Sequence, residues 1–150
     1  MIDSGLGHIP CFAHTLNLVV KGSIEKTQGL SALFKKCHEC VTFFRKSSVA
    51  TSKLNEECAK IPELGKSRLA QDVETRWNST VTMLCSMMTL KDPVLAVLDL
   101  MQRNDLAIGE QDWETIAAAV GLLVPFLQVT EELSSQQYPS ISKVICFKNM

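Results

Sequence analysis

The chain has 150 residues, 46% of them apolar and 21% charged, and carries a formal net charge of −1. That length and apolar content suit one folded domain with a real core and exclude an intrinsically disordered segment. A charge near zero excludes polyanion binding by bulk electrostatics. It is unevenly spread, with eleven Lys and Arg against eight Asp and Glu in residues 1–90 and four against eight in residues 91–150. Phosphate contacts are therefore expected in the N-terminal part, where a solvated helix face explains the small excess equally well.

In chain order, Ser4–Pro10 contains two glycines, a histidine and a proline, and reads as a loop or a strand end. From Cys11 to about Ile24, Leu16, Val19 and Val20, with Leu18 on a neighbouring face, predict a buried helix. Leu30, Leu33, Phe34, Cys37, Val41 and Phe44 recur at three- and four-residue steps, which is one apolar stripe of an amphipathic helix. The pattern predicts that this helix continues to near Lys60, with Ser47 and Ser48 weakening it. Ile61-Pro-Glu-Leu-Gly65 breaks it, because proline disfavours helix before it.

Leu69–Val73 is short enough to be extended. Thr75 can cap a helix over Arg76–Met88. Pro93 fits the first turn of the next helix, with Val94, Val97, Leu98 and Met101 inward and Asn104 ending it. Gly109 or Asp112 opens a longer helix bearing Trp113, Ile116, Ala117, Val120 and Val124 on one face. Pro125 is expected to kink or break it. The pattern fades at Ser134-Ser135, and Ile141–Phe147 forms a last segment. The expected class is mostly all-α, with at most one or two short strands.

No unbroken apolar run reaches the length of a bilayer span, and the N-terminus lacks the basic and apolar regions of a signal peptide. A soluble intracellular protein is the expectation. Cysteines at 11, 37, 40, 58, 85 and 146 are then expected to be reduced, most of them as buried small hydrophobes.

Four constellations could carry chemistry. Cys11-x-x-His14 with Cys37-x-x-Cys40 offers four nitrogen and sulfur ligands at the short paired spacing that tetrahedral zinc uses. Against zinc, Cys37 lies on an apolar helix stripe and the intervening segment looks core-like, so buried cysteines and a hydrogen-bonded histidine are the favoured alternative. Cys11 and His14 share a helix face, as a nucleophile and its base would; no orienting group or oxyanion site accompanies them, and His8 and His38 find no better partners. Arg76-Trp77 combines a guanidinium fork for phosphate with an indole face for an unpaired base. The plainer alternative packs Trp77 in the core and pairs Arg76 with Asp72 or Glu74; Trp113, on an apolar stripe, is read as core. The basic pairs Lys35-Lys36 and Arg45-Lys46 read as solvated helix faces.

Two strings together are more specific than any of these. Cys11-Phe-Ala-His14-Thr-Leu16-Asn17-Leu18 is followed about sixty residues later by Asp72-Val-Glu-Thr75-Arg76-Trp77-Asn78-Ser79-Thr80, then Met83-Leu84. In this order they resemble hAT-type DNA transposases and the BED-type zinc-finger proteins derived from them. Asp112-Trp113-Glu114 through Leu123, Pro125-Phe126 and Thr130–Ser134 resemble the family's next block, so the resemblance covers nearly the whole chain. It implies that residues 1–10 end the RNase H-like core and that residues 11–150 belong to the helical segment inserted into it, together a single partial domain.

The resemblance also implies roles. Arg76 and Trp77 correspond to residues near the transposon end that help hold a flipped base, and His14 joins them as a nucleic-acid contact. Cys11, Asn17, Asp72, Thr75 and Asn78 are motif residues expected to be structural. Family activity needs three acidic residues holding two divalent metals, two before the Cys-x-x-His block and one after the insertion. Asp3 is the only acid before Cys11 and lies too close to it to match. The expectation is a non-catalytic segment without a cofactor of its own, zinc and divalent metal belonging to other parts of a nuclear parent protein. DNA is the expected partner through that parent, with a homo-oligomer possible and neither membrane nor small-molecule substrate. The alternative is a free-standing helical interaction module, or a transposon remnant that binds no DNA. A small zinc-binding regulator is the third option.

Overall fold

The structure, a computed structural model, describes residues 12–65, 67–73 and 76–135. Among the described residues six α-helices follow one another: α1 (Phe12–Lys26), α2 (Leu30–Lys46), α3 (Ser48–Ala59), α4 (Trp77–Thr89), α5 (Lys91–Leu100) and α6 (Glu110–Ser135), with a 3-10 turn at Asn104–Leu106 before the last. Among the described residues the only β pairing is an isolated bridge between Val73 and Arg76. The chain is therefore mostly all-α. The expected loop at Ser4–Pro10 and the segment Ile141–Phe147 fall outside the described residues.

Helix α4 is the centre of the core. Val81, Met83, Leu84 and Met87 are fully buried in it, and Leu90 at its end is fully buried too. It packs most extensively on α6 and also touches α1, α2 and α5, while α3 packs on α2 and α5. Helices α4 and α5 meet at 74°, so Val94, Val97 and Leu98 turn back into the same core.

The single long second helix expected from the sequence is two helices. Ser47 is extended, its N–H donates to the Phe43 carbonyl, and its hydroxyl accepts from the Ala50 N–H at 3.1 Å. One serine thus ends α2 and caps α3. The hydroxyl of Thr51 fastens the joint by donating to the Phe44 carbonyl at 2.6 Å. Gly29, with φ at +81°, precedes α2 in the left-handed conformation that glycine adopts without strain.

Three further expectations change. Val19 is 59% exposed, because α1 meets its neighbours through a narrow stripe of Leu16, Val20 and Ile24, one turn apart. Pro125 does not end α6, which runs on to Ser135. Val120, Val124 and Leu127 remain buried on one face across the proline, so packing holds the turn that the missing N–H weakens. The α5 helix ends at Leu100, ahead of Asn104, while Met101 packs half-buried against the core as expected.

By length and composition, Glu110–Glu132 within α6 could cross a membrane, which a count of unbroken apolar runs misses. Its buried face of Trp113, Ile116, Val120, Val124 and Leu127 packs as a core helix. Trp113 carries a cost there, because among the described residues its buried indole N–H has no acceptor. An orphaned donor of this kind costs about 1–3 kcal/mol. Trp113→Phe removes the donor along with some buried area, and is expected to change stability by less than about 1 kcal/mol in urea unfolding.

Candidate nucleic-acid interface

The Arg76-Trp77 pair sits where the chain, after running beside α4, doubles back into it. Leu69 is buried and the Ala70 N–H donates to the Ser86 hydroxyl at 2.9 Å, which lays this segment along the helix. The corner is then tied by Ser79. Its hydroxyl accepts from the Val73 N–H at 2.8 Å and donates to the Arg76 carbonyl at 2.6 Å. The Arg76 N–H closes the corner on the Val73 carbonyl at 2.8 Å.

Arg76 and Trp77 face opposite ways. Arg76, the N-cap of α4, is exposed, and among the described residues its guanidinium has no carboxylate partner. Trp77 is 3% exposed and belongs to the core, with part of its ring lining a cleft of about 410 Å³ shared with Lys21, Lys35, His38, Asp72 and Thr80. Helix α4 opens with no acid in its first turn and no side-chain cap from Arg76, so nothing in that turn offsets the positive end of the helix dipole.

The carboxylate of Asp72 is committed elsewhere. One oxygen pairs with His38 Nδ1, and the other accepts from the Thr80 hydroxyl at 3.5 Å. Pairing with a carboxylate places the hydrogen on Nδ1. The Gln71 amide, 3.3 Å from both His38 Nδ1 and Thr42 Oγ1, therefore donates to Thr42. His38, for which the sequence offered no partner, is thus joined to the motif from 34 positions away. Its only local signal is its position on α2 between Phe34 and Thr42, at the edge of the apolar stripe.

The remaining motif residues are dispersed. His14 is exposed on α1, Asn17 and Asn78 are half-buried, and Cys11, Glu74 and Thr75 lie outside the described residues. Cys37 and Cys40 are fully buried. Burial, more than any neighbouring charge, pushes each thiol up to about 12. Zinc takes thiolates, so this environment opposes ligation by the pair, and among the described residues no three His, Cys, Asp or Glu side chains converge as a metal site.

The chain matches the family described as the ZBED1 RNase-like helical domain over residues 9–121. It is 30% identical over 139 residues to the "Putative AC transposase" of Zea mays, covering 91% of this chain and 17% of that protein. Human zinc finger BED domain-containing protein 4 is 29% identical over 140 residues, again 91% of this chain but 11% of its own length. The "Putative transcriptional regulator tpeD" of Talaromyces stipitatus is 23% identical over 166 residues, 95% of this chain and 19% of the regulator. The chain thus spans less than a fifth of each of these relatives. No solved structure matches it. With a family match over most of its length and relatives that are transposases and BED zinc-finger proteins, the chain belongs to the ZBED1 RNase-like helical domain family of hAT transposase-like proteins.

Proposed function

We propose that this chain is the non-catalytic helical segment of a nuclear, hAT transposase-like protein, and that it meets DNA through the Arg76 corner. The observation that carries this reading is an exposed Arg76 guanidinium at the N-terminus of α4 that, among the described residues, has no carboxylate partner. Arginine offers a planar fork for phosphate, and a helix N-terminus favours the same anion. Trp77, being covered, supports this corner from beneath. His14 is exposed and available for a further contact.

The non-catalytic reading rests on the match of residues 9–121 to a helical domain, whereas the family's two-metal chemistry belongs to carboxylates of the RNase H-like core. The relatives' names include both a transposase and a transcriptional regulator, and the parent protein is proposed to act in one of these ways. The segment itself is proposed to need no metal. Purified chain is expected to hold well under one zinc per molecule by elemental analysis; a stoichiometric zinc lost in Cys37→Ser would sink that part.

For DNA binding, Arg76→Ala is expected to weaken affinity for a labelled DNA hairpin about tenfold and to reduce the dependence of log affinity on log salt by about one. Equal binding by wild type and variant at low salt would remove Arg76 from the interface. A free-standing interaction module is a second reading, favoured by the exposed Leu18, Val19, Leu122 and Phe126 on α1 and α6. It predicts self-association without any hairpin binding.

A further inference from the structure

Neither motif string contains His38, yet the structure makes it the anchor of the second one. Asp72 precedes Val73, and Val73 is the residue whose N–H and carbonyl tie to Ser79 and Arg76. Whatever fixes Asp72 therefore fixes one arm of the corner that presents Arg76. Three side chains do so from two helices: His38 directly from α2, Thr42 through Gln71, and Thr80 from α4 itself. Of these, His38 makes the charge-assisted contact. The Asp72 side chain is 9% exposed, so losing that partner would leave a covered carboxylate holding only the long Thr80 bond.

We propose that His38 is a positioning residue: by clasping Asp72 it fixes the Arg76 corner against α2 in the arrangement that meets DNA. The DNA half of this inference rests on the reading of Arg76 given above. The clasp itself does not, and the two can fail separately.

The test uses the whole chain with His38→Ala and His38→Asn. The asparagine Nδ2 lies close to the position of the imidazole Nδ1 and can donate to Asp72, but it lacks the ring. Hydrogen exchange read by NMR at the Arg76 and Ser79 amides is expected to quicken about tenfold in His38→Ala, while Val120 in α6 is unmoved. His38→Asn is expected to return both amides to within about twofold of wild type. Affinity for the DNA hairpin is expected to follow the same order, falling about fivefold in His38→Ala with the salt dependence unchanged, because Arg76 still makes its contact.

A merely structural role would speed exchange throughout the chain and would not be rescued by asparagine; that result overturns the clasp. Unchanged exchange at Arg76 and Ser79 in His38→Ala also overturns it. If the amides respond as expected while wild type fails to bind the hairpin, the clasp stands and the DNA reading of Arg76 falls.

Discussion

Trp77→Ala is expected to lower the unfolding free energy by about 3–5 kcal/mol, the usual cost of emptying a buried aromatic site. The readout is a drop in the denaturation midpoint at unchanged slope. Trp77 is 3% exposed and is the first residue of the central helix. Val81 and Leu84 in the next turns are themselves fully buried, so neither can fill its place without leaving another contact. Trp77→Phe keeps most of the apolar volume and is expected to cost about 1–2 kcal/mol. DNA binding by that milder variant then separates two roles. If the ring only supports the corner, hairpin affinity falls no further than the loss of folded protein explains. A Trp77→Ala cost below about 1 kcal/mol would mean that the indole is not packed, and would restore it as a stacking face for a base.

That ambiguity was present in the residues and could not be settled by them. An arginine–tryptophan pair suits both a nucleic-acid contact and a helix entry, and spacing does not tell which way an indole points. The helical content was legible because the apolar stripes are strongly periodic: Leu33, Phe34, Cys37, Val41 and Phe44 are all buried as their spacing requires. Boundaries were less legible. Ser47 reads as a weak spot in a long amphipathic pattern, and only the Ala50 N–H reaching its hydroxyl turns it into a full stop. Pro125 misleads in the opposite direction, since the burial of Val124 and Leu127 outweighs a local cost.

The candidate site shows the same division. Both motif strings could be found from residue order, and the family match covers both. The clasp could not, because His38 and Asp72 are brought together by the packing of α2 beside α4, and nothing in the spacing of thirty-four positions encodes a contact. Asp72 reads from sequence as a natural partner for the adjacent Arg76. Its commitment to His38 and Thr80 takes its carboxylate away from the guanidinium.

Alkaline solution is expected to unfold this protein unusually steeply, and the reason lies in the same buried helix face. Burial pushes the Cys37 and Cys40 thiols up to about 12, and it shifts Cys58 in the same direction. In the unfolded chain a thiol ionises near its ordinary value of about 8.5. Between these limits the unfolded state has lost protons that the folded state keeps. It binds fewer protons, so stability must fall as pH rises, and it is intact below the ordinary thiol range. Each such thiol contributes about 1.4 kcal/mol per pH unit, so Cys37 and Cys40 together remove about 5–6 kcal/mol by pH ~10.5. That is comparable to the whole stability of a marginal domain. Denaturant unfolding at pH 8 and at about pH 10.5 measures the loss, and Cys37→Ala/Cys40→Ala isolates it. The double variant should be less stable at pH 8 through lost packing, yet lose less on going to alkaline pH, because lysine and tyrosine ionisation is common to both proteins. Equal alkaline losses in the two would mean that the thiols are not held protonated by the core.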